Sequence, residues 1–311
     1  MDKLLIIVGP TAVGKTELSL SLAEEINAEI ISADSMLVYR GMDIGTAKPS
    51  CEELARVPHH LIDVADPRDE FSVGDYLKLA EEAIADIRQR GKVPLVVGGT
   101  GLYVRALTNG LMEGPSADWE LRGELEEKER NSPGLLYSML EKVDPASAAK
   151  IHPSDIRRII RALEVYQKEG TPISLQHETH KASATARPVR IAGLKRDRSE
   201  LYKRIEERVD AMMASGFLEE AKALRDMGCT RDMVSMYALG YKQLLAHLDG
   251  EVTLDEAVGL IKRDSKRYAK RQFTWFNAEP RVSWVDLSAI QGAGQALDEI
   301  KKALDIFRVL S

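Results

Sequence analysis

The sequence predicts an α/β fold, a parallel sheet with helices on both faces, plus an all-helical insertion domain. Three observations carry this reading. Short apolar runs alternate with segments of helical spacing between residues 4 and 101, and each run ends in a glycine or an aspartate. A glycine-rich loop joins the first run directly to the first helical segment. Between residues 115 and 185 the strand signal disappears and only helical patterns remain.

Leu4-Leu5-Ile6-Ile7-Val8 is a short β-branched run that stops at Gly9, which suits a strand buried on both faces. Gly14 to Glu25 repeats apolar residues at helical spacing, and Glu29-Ile30-Ile31-Ser32-Ala33 gives a second strand ending at Asp34. Residues 72–90 place Tyr76, Leu79, Ala80, Ala83, Ile84 and Ile87 on one helical face. Pro94-Leu95-Val96-Val97 is a third strand, closed by Gly98-Gly99-Thr100-Gly101. In such sheets ligands bind beyond the carboxyl ends of the strands, so Gly9, Asp34 and Gly98 to Thr100 are expected to face one site.

Helical patterns follow at 118–131, 134–142 and 154–169, with Ser154 as the expected N-cap and Gly170-Thr171-Pro172 as a stop. Residues 176–188 are polar and read as a mobile loop. Strand character returns at residues 189–194, and helices at 199–214, 217–227 and 254–273 rejoin the core. The expected division is a core of residues 1–114 and 186–311 around an insertion of residues 115–185.

Composition bounds the function. The 311 residues are 44% hydrophobic, enough for a full core. No apolar run approaches the roughly 20 residues of a membrane span. The start Met1-Asp2-Lys3 before Leu4 is too short and too acidic for a signal peptide. Cys51 and Cys229 have neither metal-ligand nor disulfide-framework spacing. A cytoplasmic, reduced protein without membrane contact is expected. The net charge of −6 hides an asymmetry: residues 1–149 carry 15 Lys and Arg against 26 Asp and Glu, and residues 150–311 carry 28 against 23. Such a division fits a polyanion-binding half or ordinary scatter.

The most specific motif is Gly9-Pro10-Thr11-Ala12-Val13-Gly14-Lys15-Thr16, a match to G-x-x-x-x-G-K-[ST] between a strand and a helix. Its glycines let backbone N–H groups wrap a diphosphate, Lys15 supplies a point charge and Thr16 can hold Mg²⁺. The core is therefore P-loop NTPase-like, although the motif does not say whose diphosphate is bound. A nucleotide triphosphatase usually ends an apolar strand with an acid that holds the metal. Here the best such strand ends Val97-Gly98-Gly99, and the nearest carboxylate at a strand end is Asp34. That position suits a proton acceptor, and equally a turn or cap residue. Thr100 suits a hydrogen-bond partner of the base or a helix cap.

Two basic clusters stand apart from this loop. Arg157, Arg158 and Arg161 lie within one helical turn of one another, and Lys262-Arg263, Lys266-Arg267 and Lys270-Arg271 recur every four residues. Tyr268, Phe273, Trp275 and Phe276 are interleaved with or adjoin the second cluster. The pattern alone fits a solvated helix face or an RNA contact.

Asp34-Ser35-Met36-Leu37-Val38-Tyr39-Arg40-Gly41-Met42-Asp43-Ile44-Gly45-Thr46-Ala47-Lys48-Pro49 resembles a block of the tRNA dimethylallyltransferases, also called tRNA isopentenyltransferases or IPP transferases. Further blocks agree in order: Pro58 to Asp63, Gly98 to Tyr103, Arg157 to Val165, Leu201 to Ile205, Ala238 to Lys242 and Arg267 to Gln272. The resemblance covers nearly the whole chain. It implies transfer of a dimethylallyl group from dimethylallyl diphosphate to N6 of adenosine 37, in tRNAs that read codons starting with U. The loop of Gly9 to Thr16 would then cradle the diphosphate of the prenyl donor, with Mg²⁺ on Thr16.

The resemblance implies catalytic roles for Asp34, Thr100, Lys15 and Arg204. It implies RNA contact at Asp34, Ser35, Met36, Leu37 and Thr100 around the target base, and at Arg157, Arg158, Ile159, Ile160 and Arg161 on the insertion. Lys266, Arg267, Lys270 and Arg271 join that set. The expected partner is an anticodon stem-loop containing A36-A37-A38, with the adenosine flipped out of its stack; no obligate protein partner is expected and a monomer suffices. Leu37 departs from the family, whose members usually carry Gln there, and it lacks the amide hydrogen bonds of Gln. Two rivals remain at this level: a small-molecule kinase with Asp34 as base, and a non-enzymatic GTPase-like RNA-binding module.

Overall fold

Every residue of β1 (Leu4–Val8) is buried, because helices cover both faces of the sheet it centres. The computed structural model describes residues 3–112, 114–183 and 186–306. After β1 come α1 (Lys15–Glu25), β2 (Ala28–Ala33), α2 (Cys51–Arg56), β3 (His59–His60), α3 (Val73–Gln89), β4 (Val93–Gly98) and α4 (Gly101–Asn109). Five helices follow: α5 (Trp119–Asn131), α6 (Leu135–Val143), α7 (Pro145–Ala148), α8 (Ile156–Glu169) and α9 (Ile173–Ser183). Then come β5 (Val189–Lys195), α10 (Arg198–Ala214), α11 (Phe217–Asp226), α12 (Tyr241–Leu248), α13 (Leu254–Asn277), β6 (Val282–Asp286) and α14 (Ala293–Ala303).

The six strands run in the order β3-β2-β4-β1-β5-β6, and every pairing is parallel. Successive side chains of β1 point to opposite faces. Leu5 and Ile7 join Leu20 and Leu22 of α1 and Ile300 of α14 in one core. Leu4, Ile6 and Val8 join Tyr76, Ile84 and Ile87 of α3 and Leu107 of α4 in the other. Burying one such side chain contributes about 1.5–3 kcal/mol. Ser72 and Asp75 form a capping box that starts α3, and Thr253 and Glu256 do the same for α13. A third core packs α10 to α13 against Val38, Tyr39 and Met42 of the segment after β2.

Contacts divide the chain into Met1–Thr108 with Arg187–Ser311 and a second unit, Asn109–Ala186. The second unit begins at Asn109, earlier than the expected 115, and has its own core of Leu125, Leu136, Leu140, Ile159 and Leu163. Two local expectations need correction there. Asp155 caps α8, accepting from the Arg158 N–H, while Ser154 is occupied with the His152 ring. The expected loop at 176–188 is largely α9: Ile173 packs on the unit's core and the Ser174 N–H donates to the buried Asp144 carboxylate at 3.0 Å. Residues 184 and 185 of that loop lie outside the described residues. The pattern also misses α2, β3, α7, α12, β6 and α14. Among the described residues no helix is long and apolar enough to cross a membrane.

Candidate active site

β1 delivers Gly9 to its carboxyl end, against β5. A Cβ on Gly9 would lie 2.7 Å from the Leu194 carbonyl oxygen, so only glycine fits this approach. Gly14 starts α1 at φ 107°, in the left-handed region, and no side chain caps the helix behind it. The first-turn N–H groups therefore face an anion site with the helix dipole behind them. Val13 anchors the loop in the core with no exposed surface, while Thr11, Ala12, Gly14, Lys15 and Thr16 line a cavity of about 730 Å³.

Lys15 Nζ donates to the Gly9 and Pro10 carbonyls, each at 2.9 Å. Loss of surrounding water lowers its pKa to about 8; Asp34 opposes that shift and Arg208 adds to it. An anionic diphosphate would restore the full charge. Two arginines brace the loop from the α10 side. Arg204 Nε donates to the Ala12 carbonyl and Arg196 Nε to the Val13 carbonyl, both at 2.9 Å.

Asp34 and Thr100 meet at the ends of β2 and β4. The Asp34 carboxylate accepts from the Met36 N–H at 2.9 Å, and Thr100 Oγ1 accepts from the Ser35 N–H at 3.0 Å. Gly98 is obligatory beside them, since a Cβ there would sit 2.1 Å from the Ala33 carbonyl oxygen. Asp34, Ser35, Met36 and Leu37 all line the cavity that holds the phosphate loop. Sequence reasoning brought these ends together, but it set Tyr268 among the basic rows of α13 and left Gln272 and Arg208 without a role in the site. Tyr268 of α13 meets the Thr100 and Gln272 side chains; burial, and then the charge of Asp34, push its pKa up, so it stays a donor. Gln272 accepts from the Thr11 N–H at 2.9 Å and donates to the Gly99 carbonyl at 3.0 Å, tying the phosphate loop to the end of β4.

Arg208 is the third. It lines the same cavity one turn beyond Arg204 and donates to the Thr46 carbonyl at 3.4 Å. Burial lowers its pKa and Asp34 opposes the shift, which marks it as a cation held away from water beside Lys15. Its signal was legible: Arg208 interrupts the edge of the buried stripe Leu201, Ile205 and Val209.

Whether these residues fit Mg²⁺ is tested by the oxygen donors. Ser32 Oγ is buried without a partner and lines the cavity together with Thr16 and Asp34. Hydroxyl and carboxylate oxygens suit a hard cation. No group of three His, Cys, Asp or Glu side chains capable of holding a metal occurs among the described residues. The protein thus offers a partial ligand set, which the oxygens of a diphosphate would complete.

The basic residues of α13 split between two faces. Arg271 lines the cavity above. Lys262, Arg263, Lys266, Arg267 and Lys270 line a second cleft of about 560 Å³ with Arg198 of α10. Within it Lys262 pairs with Asp210 at 2.6 Å, Lys266 pairs with Glu206, and Arg267 with Asp264 at 3.3 Å. On α8 the residues of the expected contact set differ in exposure and pairing. Ile159 and Ile160 are buried in the core of their own unit and present no side chain to a ligand. Arg161 is committed to the buried Glu164 at 2.5 Å and to the Pro115 carbonyl at 3.0 Å. Arg158 pairs with Asp155 at 3.3 Å and stays largely exposed.

Comparison with known proteins agrees with this geometry. The family model described as "IPP transferase" matches residues 37–279, and one described as "Isopentenyl transferase" matches residues 2–65. A tRNA dimethylallyltransferase of Thermodesulfovibrio yellowstonii is 48% identical over 307 residues, 97% of each chain. The crystal structure of the full-length tRNA isopentenylpyrophosphate transferase from Bacillus halodurans has a TM-score of 0.71 and 43% identity, covering 99% of this chain and 100% of that one. A eukaryotic dimethylallyltransferase acting on tRNA has a TM-score of 0.80 and 28% identity, covering 99% and 78%. With its phosphate loop, its strand-end aspartate and matches along almost its whole length, the chain belongs to the IPP transferase family.

Proposed function

We propose that the chain transfers a dimethylallyl group from dimethylallyl diphosphate to N6 of adenosine 37 in the anticodon loop of tRNAs reading codons that start with U. The observation that carries this reading is one cavity shared by the phosphate loop, Asp34 and Arg208, beside a β4 that ends in Gly98 with no acid. Hydrolysing a nucleoside triphosphate usually needs such an acid; displacing a diphosphate from an allylic carbon does not.

N6 of adenine is a weak nucleophile because its lone pair is delocalised into the ring. As the N6–C1 bond forms and the C1–O bond breaks, the pyrophosphate leaves with the electron pair and N6 sheds a proton. Asp34 accepts that proton, and Thr100, steadied by Tyr268, holds the amine in line. Lys15, the N–H groups of the phosphate loop and Arg208 meet the charge growing on the leaving group. Arg204 steadies the Ala12 carbonyl at the loop mouth. Thr16 would hold Mg²⁺, which supplies further charge neutralisation on the diphosphate when bound. The cationic cleft on α10 and α13 suits the phosphates flanking the loop, and a monomer contains every group named.

Pyrophosphate release separates this reading from a kinase. The expected result is release from dimethylallyl diphosphate that requires both Mg²⁺ and an anticodon stem-loop with A36-A37-A38, and no phosphate or ADP from ATP. ATP turnover without RNA would overturn it.

A further inference from the structure

The geometry points to Glu220 as a positioning residue for the diphosphate site: its carboxylate on α11 holds the Asp43–Gly45 turn so that the Thr46 carbonyl aims Arg208 at the leaving group. The inference rests on the function proposed above. One carboxylate oxygen of Glu220 accepts from the Asp43 N–H at 2.8 Å and the Ile44 N–H at 2.7 Å. The other accepts from the Gly45 N–H at 3.0 Å and the Tyr241 hydroxyl at 2.6 Å. Three successive backbone donors on one side chain are a demand that only an anion meets well. An amide in its place would turn an NH₂ group toward N–H groups. Tyr241 does not compete for the charge, because burial and then Glu220 itself push its pKa up and keep it a donor.

The turn so held leads straight into the cavity. Gly45 is pressed against Phe217 and Tyr241, where a Cβ would come within 2.2 Å of the Phe217 ring. Thr46 and Ala47 line the cavity, and Ala47 adopts a left-handed φ of 50° closed by its N–H on the Ile44 carbonyl at 3.0 Å. Arg208 donates to the Thr46 carbonyl. A guanidinium kept from water has few ways to stay pointed at a ligand, and the Thr46 carbonyl is the hydrogen-bond partner that orients it here. The neighbouring Glu219 is exposed and serves as a charge-matched control.

The test is the affinity of the full chain for inorganic pyrophosphate with Mg²⁺, measured by calorimetry for the wild type, E220Q, R208K, the double variant and E219Q. Melting curves confirm that each is folded. The expected result is binding about tenfold weaker in E220Q, the scale of a hydrogen bond to a charged group. E219Q should be unchanged. The double variant should lose little more than R208K, because both act through one guanidinium. Transfer by E220Q should show a lower kcat with an unchanged KM for the stem-loop. Additive losses, or wild-type affinity in folded E220Q, would overturn the role. Should the wild type bind pyrophosphate with this dependence and yet transfer no prenyl group, the Glu220 role stands and the proposed reaction falls. A wild type that binds no pyrophosphate overturns both.

Discussion

Asp34, the proton acceptor of the proposed reaction, has one carboxylate oxygen already fixed by the Met36 N–H. Replacing it with Ala should slow transfer about a thousandfold in single turnover, the range of a positioned general base, while stem-loop affinity stays within about twofold. A rate close to wild type would remove Asp34 from the chemistry. Lys15 makes a pH prediction. Its pKa near 8 means that the empty site loses its charge as pH rises through 8, whereas a bound diphosphate demands the protonated form. Pyrophosphate binding should therefore take up a proton above pH 8 and weaken about tenfold per pH unit, visible as a buffer-dependent heat in calorimetry. In the Lys15→Ala variant that uptake should vanish. The Leu37 side chain lines the cavity beside Asp34 and can form no hydrogen bond there.

At the scale of elements, Gln272 joins two of them. With Ser265 it is one of two polar members of the buried α13 stripe Ala257, Ile261, Ser265, Ala269, Gln272 and Phe276, and it satisfies the Thr11 N–H and the Gly99 carbonyl together. Gln272→Ala should cost about 2 kcal/mol in denaturant unfolding, because two buried backbone groups lose their partner. It should also raise the KM for the prenyl donor. A destabilisation without any change in KM would make Gln272 a packing residue only. Much of this was legible beforehand. Period-2 and period-3.6 patterns gave β1, β2, β4, α1 and α3, and their ends gave the phosphate loop, Asp34 and Thr100. What stayed hidden depends on contacts distant in sequence. β3 spans two residues, too short for any period, and β6 carries the mixed pattern Val282-Ser283-Trp284-Val285-Asp286. α9 is mostly polar, yet Ile173 packs on the core of its own unit and Ser174 and Gln176 hydrogen-bond to Asp144 and Glu169. The partner of Arg161, the entirely buried Glu164, becomes visible only when Arg122 and Arg161 converge on it. Arg208 and Gln272 differ: each was a polar residue on or beside an apolar stripe, a signal available to the eye.

For the whole molecule, the acidic net charge conceals a division of labour. The N-terminal part supplies the loop and strand ends of the proposed diphosphate site, and the basic cleft belongs to the later helices α10 and α13. Lys270 lines the basic cleft of α10 and α13 on the same helix that sends Tyr268 and Arg271 into the reaction cavity. Lys270→Ala should weaken stem-loop binding and reduce the slope of log affinity against log salt by about one, with the prenyl donor bound as before. An unaltered slope would place the RNA elsewhere. The central claim, prenyl transfer to one adenosine, is tested most directly by mass spectrometry of the nucleosides of a stem-loop incubated with the protein, dimethylallyl diphosphate and Mg²⁺. The predicted result is a single dimethylallyl addition on N6 of adenosine 37, lost when that base alone is changed to guanosine. Unmodified RNA from folded protein, or addition at another position, would contradict it.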